Sequence, residues 1–188
     1  MRSIQMVDLQ GQYARLASEI DVAIQQVLQR ADFIQGGAVR ALEAALSERY
    51  EVKHVIGCAN GTDALQLAFM ALDLPAGSEV ITPAFSYAAL TEVLLLLGLK
   101  PVFVEVDPDT FLMDVSAVEA AITPKTKAIA PVHLYGQMVS MEPLMALANK
   151  HNLYVVEDAA QAIGSQYCTP GAHGFAGTMG HIGTTSFF

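Results

Sequence analysis

The sequence predicts an α/β fold, a mainly parallel sheet with helices on both faces. Three observations predict it. From residue 54 onward, short apolar runs alternate with longer segments of helical spacing. Those runs are continuously apolar rather than alternating, which is the pattern of strands covered on both sides. Of the 188 residues, 53% are hydrophobic, enough to bury a sizeable core.

The elements follow in order. Leu16, Ile20, Ile24, Val27 and Leu28 recur at helical spacing across about 10–30. QGG (35–37) breaks the pattern, and Val39, Leu42, Leu46 and Tyr50 carry a second helix. HVIGC (54–58) reads as a strand, and TDALQLAFMALD (62–73) as a helix that starts at Thr62 and Asp63. EVIT (79–82) is a strand and 86–98 a helix. PVFVEV (101–106) is a strand, VSAVEAAI (115–122) a short helix and KAIAPV (127–132) a strand. MEPLMALANKH (141–151) is a helix, LYVVE (153–157) a strand, and GTTSFF (183–188) opens another. The chain stops inside that last apolar run with no cap or polar tail, as expected of the front part of a longer polypeptide.

Composition narrows the function classes. A net charge of -9 and the lack of any basic run argue against nucleic acid and anionic membranes as partners. The most apolar stretch, ALTEVLLLLGLK (89–100), is interrupted by Glu92. It falls far short of the roughly 20 residues a bilayer span needs. MRSIQMVDLQ has no signal-peptide core, and Cys58 and Cys168 are too few for a disulfide framework. The low cysteine count fits a reducing cytoplasm. With no CxxC and no HExxH, no metal site is expected. A generic nucleotide-binding domain ranks last, because the chain has neither GxGxxG after its first strand nor GxxxxGK[ST].

Ligands of such sheets bind beyond the carboxyl ends of the strands. Those ends carry CANGT, TPAFSY, VHLYGQ and EDAAQ. At ANGTDAL, Gly61 allows close backbone approach, and the free N–H groups of a helix start favour a phosphate, with the Thr62 hydroxyl adding a bond. The competing reading is an ordinary capped strand–turn–helix connection. Phe85 and Tyr87 are aromatics at a strand end, able to stack on a flat ligand or to pack in the core; core packing is preferred for Phe85. His133 is either a structural histidine or a catalytic one, and without a partnered nucleophile it is not assigned as a general base. Glu157 and Asp158 end a buried strand, where a carboxylate is costly unless a cation or several donors face it. One of the two is expected to cap or turn to solvent, and the other to meet something positive. No lysine or arginine is near in sequence, so a cationic ligand such as a protonated pyridine nitrogen competes with simple bonding of Asp158 to backbone amides. Together the loops ask for a phosphate, a flat ring and a basic ring nitrogen. Pyridoxal 5′-phosphate (PLP) has all three.

CANGTDALQ, EVITPAFSY, ITPKTKAIAPVHLYGQ, VEDAAQAIGS and the terminal TSFF, in this order, resemble the DegT-type nucleotide-sugar aminotransferases. These are PLP enzymes of the aspartate aminotransferase fold (fold type I), and the resemblance runs from VDLQGQY onward. It implies that residues 1–188 form the N-terminal part of the large PLP-binding domain, with the remainder of that domain and the small domain lying beyond the chain. It also implies that Asp158 pairs with the pyridinium nitrogen, Gln161 bonds the ring 3-hydroxyl, Tyr87 stacks over the ring, and Gly61, Thr62 and Ser186 hold the phosphate. His133 and Tyr135 fall in a family motif near the cofactor and receive no chemical role.

In the family a motif like SFFPSKxLG follows, and its lysine forms the Schiff base with PLP. That position lies three residues past Phe188, and none of Lys53, Lys100, Lys125, Lys127 and Lys150 occupies it. The chain as it stands is therefore expected to hold no catalytic residue and to be inactive. CANGTDALQ and TSFF are similar to enzymes that aminate a 3-keto UDP-sugar uronate. The implied partners are a nucleotide-linked keto-sugar and glutamate with 2-oxoglutarate, in a homodimer serving surface-polysaccharide or lipopolysaccharide biosynthesis. Two alternatives share the resemblance: a sugar dehydratase, with histidine at the lysine position, and a non-catalytic PLP-binding regulator.

Overall fold

Helix α1 spans Leu9–Arg30 and starts at Asp8, whose carboxylate accepts from Gly11 N at 2.9 Å. It ends where Ala31 turns left-handed at φ 52° and returns its N–H to Leu28 O and Val27 O. Helix α2 spans Gly37–Tyr50. The QGG break between them has a steric basis, because a Cβ on Gly36 would strike the Asp32 carbonyl oxygen. These helices belong to the first of two units, whose boundary falls between Gly57 and Cys58. The computed structural model describes residues 7–187 in all.

The strand expected at HVIGC (54–58) does not form. These residues pair with no strand among the described residues, and Ile56 is 81% exposed. The Gly57 N–H goes instead to Glu43 Oε1 at 2.8 Å. An apolar β-branched run supplies the side chains of a strand, but a strand also needs a neighbouring edge to bond.

The second unit holds helix α3 (Gly61–Leu72), strand β1 (Glu79–Pro83), α4 (Ala89–Leu96), β2 (Lys100–Val104), α5 (Val115–Ala121) and β3 (Thr126–Ile129). It continues with α6 (Met141–His151), β4 (Tyr154–Asp158), β5 (Gln166–Thr169), β6 (Ala172–Phe175) and β7 (Ile182–Thr184). Five strands form a parallel sheet in the order β2-β1-β3-β4-β7. Phe188, placed in the last strand by the sequence reading, lies outside the described residues.

Burial on both faces explains the unbroken apolar runs. Val80, Ala128 and Val156 pack on one face with Leu65, Phe69, Leu90 and Leu94 of α3 and α4. Ile81, Ile129 and Val155 pack on the other with Val118, Met141, Leu144 and Leu147 of α5 and α6. Successive side chains thus enter opposite cores. The edge strand β2 departs from this pattern, with Phe103 half exposed. Expected KAIAPV is cut to Thr126–Ile129, because Pro131 has no N–H to give to the ladder. The antiparallel hairpin β5–β6 was not expected from the sequence. No described helix is long and apolar enough to cross a membrane.

Candidate functional site

Strand β4 brings the two adjacent acids to the sheet's carboxyl edge and turns them to opposite faces. Val155 and Glu157 point toward α5 and α6, while Val156 and Asp158 point toward α3 and α4. The expectation that one acid caps or meets solvent is corrected here, since Glu157 is fully buried and Asp158 is 8% exposed. Glu157 Oε2 lies 2.8 Å from His133 Nε2 and accepts from Gly177 N at 2.9 Å. Its Oε1 accepts from Met179 N at 2.7 Å and Gly180 N at 2.5 Å. The desolvation of this carboxylate is met by backbone donors from the loop that precedes β7.

His133 is fully buried too. Its Nδ1 accepts from Val139 N at 3.2 Å, so the proton sits on Nε2 and is donated to Glu157. Both ring nitrogens are engaged with structural partners, which is the structural reading of this residue.

Asp158 has a different environment. Its Oδ1 accepts from Ala160 N at 3.1 Å, and Oδ2 receives no donor among the described residues. Its backbone is pinned on both sides, with Asp158 N donating to Pro131 O and His133 N to Asp158 O, each at 2.9 Å. Burial pushes the carboxyl above its ordinary range, against the opposing pull of the Ala160 N–H and of His133. No lysine or arginine is among the charges acting on it. A carboxylate so placed is suited to a cation brought by a ligand.

The start of α3 is suited to an anion. Asn60 Oδ1 accepts from Asp63 N at 2.9 Å, and Asn60 O accepts from Ala64 N at 3.0 Å. The N–H groups of Gly61 and Thr62, first in the helix, have no acceptor within it. Strand β7 runs beside β4, with Thr184 opposite Asp158, and carries Ser186 to this helix start. A Cβ on Gly61 would sit 2.8 Å from Ser186 Cβ. Gly61 and Ser186 therefore come together, with Thr62 the next residue of the helix.

Gln161 Oε1 accepts from Tyr135 N at 3.3 Å, and its carbonyl from Gly136 N at 2.9 Å. The side-chain amide is left able to donate to a ligand oxygen. Tyr87 stands apart from these contacts, 75% exposed in the loop after β1. Phe85 packs on Phe111, ring centroids 5.4 Å apart, but both rings are exposed, Phe85 to 46%, so the core packing preferred for Phe85 is corrected to a surface aromatic pair. Sequence reasoning missed the role of Glu157 and the amides of 177–180. The glycines of AGTMG (176–180), which leave backbone N–H groups accessible, were the available signal.

The site thus offers donors for an anion, a carboxylate for a cation, and an amide donor for an oxygen, all at one edge of the sheet. PLP fits that set. The chain matches the DegT/DnrJ/EryC1/StrS aminotransferase family over residues 14–188. It is 50% identical over 186 residues to a UDP-N-acetyl-3-dehydro-alpha-D-glucosamine 3-aminotransferase of Acidithiobacillus ferrooxidans, covering 99% of this chain and 49% of that relative. It thus spans about half the length of the curated relatives it matches. A solved DegT DnrJ EryC1 StrS aminotransferase from Brucella abortus superposes with a TM-score of 0.93 at 40% identity, covering 99% of this chain and 51% of that one. The Bacillus subtilis protein NtdA, solved with bound cofactor PMP, superposes with a TM-score of 0.78 at 38% identity, over 87% of this chain and 38% of that one. The chain belongs to the DegT/DnrJ/EryC1/StrS aminotransferase family.

Proposed function

We propose that this protein is the cofactor-holding, N-terminal part of the large domain of a PLP-dependent nucleotide-sugar aminotransferase. The amino group moves from glutamate to the keto group of a nucleotide-linked sugar, of the UDP-3-keto class that the Acidithiobacillus relative's name describes. The observation that carries this reading is Asp158: a buried carboxylate with no lysine or arginine acting on it among the described residues, on the sheet edge that also receives Ser186 and the start of α3.

Asp158 holds the proton on the pyridine nitrogen. The N–H groups of Gly61 and Thr62, with the Thr62 and Ser186 hydroxyls, hold the phosphate. The Gln161 amide donates to the ring 3-oxygen, and Tyr87 covers the ring. When bound, PLP supplies the electron sink for amino-group transfer. The protein acts in the cytoplasm, as a homodimer, in surface-polysaccharide biosynthesis.

The full-length gene product tests the reading. Loaded with PLP and given glutamate alone, it should lose the cofactor's visible absorption and release 2-oxoglutarate. Asp158→Asn should lower the rate of that change by about a hundredfold or more, as the loss of one preorganised electrostatic partner does. An unchanged spectrum with glutamate would overturn aminotransfer, and wild-type rates in the variant would remove Asp158 from its role.

A further inference from the structure

Glu157 touches nothing that the proposed reaction needs, yet it is fully buried and accepts from four donors. Three of them, the N–H groups of Gly177, Met179 and Gly180, belong to the loop joining β6 to β7. The loop is bonded to β4 at a second point. His181 N donates to Val155 O at 2.8 Å, and Val155 N donates to His181 Nδ1 at 3.0 Å. Strand β7 begins with the next residue, and Ser186 meets Gly61 two residues after it ends.

We propose that Glu157, oriented by His133, is a positioning residue for the phosphate end of the cofactor site: by gathering the 177–180 amides it sets where β7 runs and so where Ser186 stands against α3. The proposal rests on the PLP reading and deepens it.

A carboxylate is needed because every group facing it is a donor. Its two oxygens can accept all four bonds. Glutamine would turn an NH2 toward either the Met179 and Gly180 amides or the pair formed by His133 Nε2–H and Gly177 N–H. His133 cannot yield by moving its proton, because Nδ1 already accepts from Val139 N. The loop would shift, and Ser186 with it.

The experiment uses the full-length gene product freed of cofactor. It is titrated with pyridoxamine 5′-phosphate and with pyridoxamine, which has the ring but no phosphate. Glu157→Gln should weaken the phosphate ester by up to about a hundredfold, the scale of a misplacement near 1 Å, and leave pyridoxamine nearly unaffected. Gly180→Ala reaches the same loop with the carboxylate intact, since its Cβ would lie 2.9 Å from Val155 O and 3.2 Å from Glu157 Oε1. It should show the same selective loss. Equal weakening of both ligands would mark Glu157 as merely structural and overturn the proposal, and so would unchanged binding. Should neither variant fold, amide exchange in the wild type decides: slow exchange at Met179 and Gly180 supports the clamp, and fast exchange overturns it. A wild type that binds neither ligand while those amides are protected sinks the PLP reading, and the positioning role with it, but leaves the loop anchor standing.

Discussion

Replacing Gly61 by alanine tests the meeting of α3 and Ser186 directly. The new methyl would sit 2.8 Å from Ser186 Cβ and 3.1 Å from its Oγ. Ser186 Cβ is one bond from the backbone, so it cannot swing aside like the tip of a long side chain. Relief must come from moving the helix or the strand end. Overpacking of this kind costs about 1–3 kcal/mol. Alanine offsets roughly 0.5–1 kcal/mol of that through lower unfolded-state entropy. Gly61 is not among the residues with positive φ, so no backbone strain is added. The clash wins, and a net loss of about 1 kcal/mol is expected. The assay is a set of urea midpoints for the wild type, Gly61→Ala, Ser186→Gly and the double variant. Ser186→Gly removes the carbon that the methyl strikes, so the pair should couple by about 1 kcal/mol. Additive midpoints, or a Gly61→Ala variant as stable as the wild type, would refute the reasoning.

Three further expectations concern charge and close approach. Burial raises the Asp158 carboxyl, so the folded chain binds that proton more tightly than the unfolded one, and stability falls as pH rises through the folded value. Cofactor-free Asp158→Asn should therefore resist urea better than the wild type at neutral pH and lose the advantage near pH 4, about the ordinary aspartate value; a pH-independent gap would count against this. At the other end of the sheet, the Thr123 hydroxyl (2.5 Å) and then Lys100 hold the Glu79 carboxyl below its usual range. That stability is present above the ordinary glutamate value and lost as pH falls through the lowered one, so Thr123→Val should flatten the acid limb of urea midpoint against pH; superimposable limbs would refute it. Gly183→Ala would drive a Cβ into the Gly177 carbonyl and should cost about 3 kcal/mol, read as a lower Tm or lost soluble yield; a wild-type Tm would show that the loop can yield.

Much of the fold was legible because it depends on local pattern. MEPLMALANKH matched α6 to the residue, since its apolar positions keep one period from Met141 onward and the αL residue Asn152 stops it. EVIT and LYVVE were visible because both faces of their strands are buried, so every position is constrained. HVIGC was misread because pairing is a property of two segments, and only one is written in any local stretch. The hairpin at 166–175 escaped for the converse reason: none of its strand residues is buried, and QYCT and AHGF have no apolar alternation to betray them. In the candidate site, Asp158, Gln161 and the Gly61 turn were singled out because each is tied to a motif, and the structure sets them at one sheet edge. Glu157 was not, because three of its four partners are backbone amides some 20 residues away that no side-chain pattern announces.

The opposed facing of Glu157 and Asp158 also limits how this stretch can change length. Parity along a strand is binary, so deleting one residue between Tyr154 and Val156 would exchange the duties of the two acids rather than trim the element. The longer side chain would be thrust toward α3 and α4, and the shorter one would fall short of the loop amides. Indels here are barred in odd steps, and anyone grafting EDAAQ onto another scaffold must match odd to odd before matching any contact.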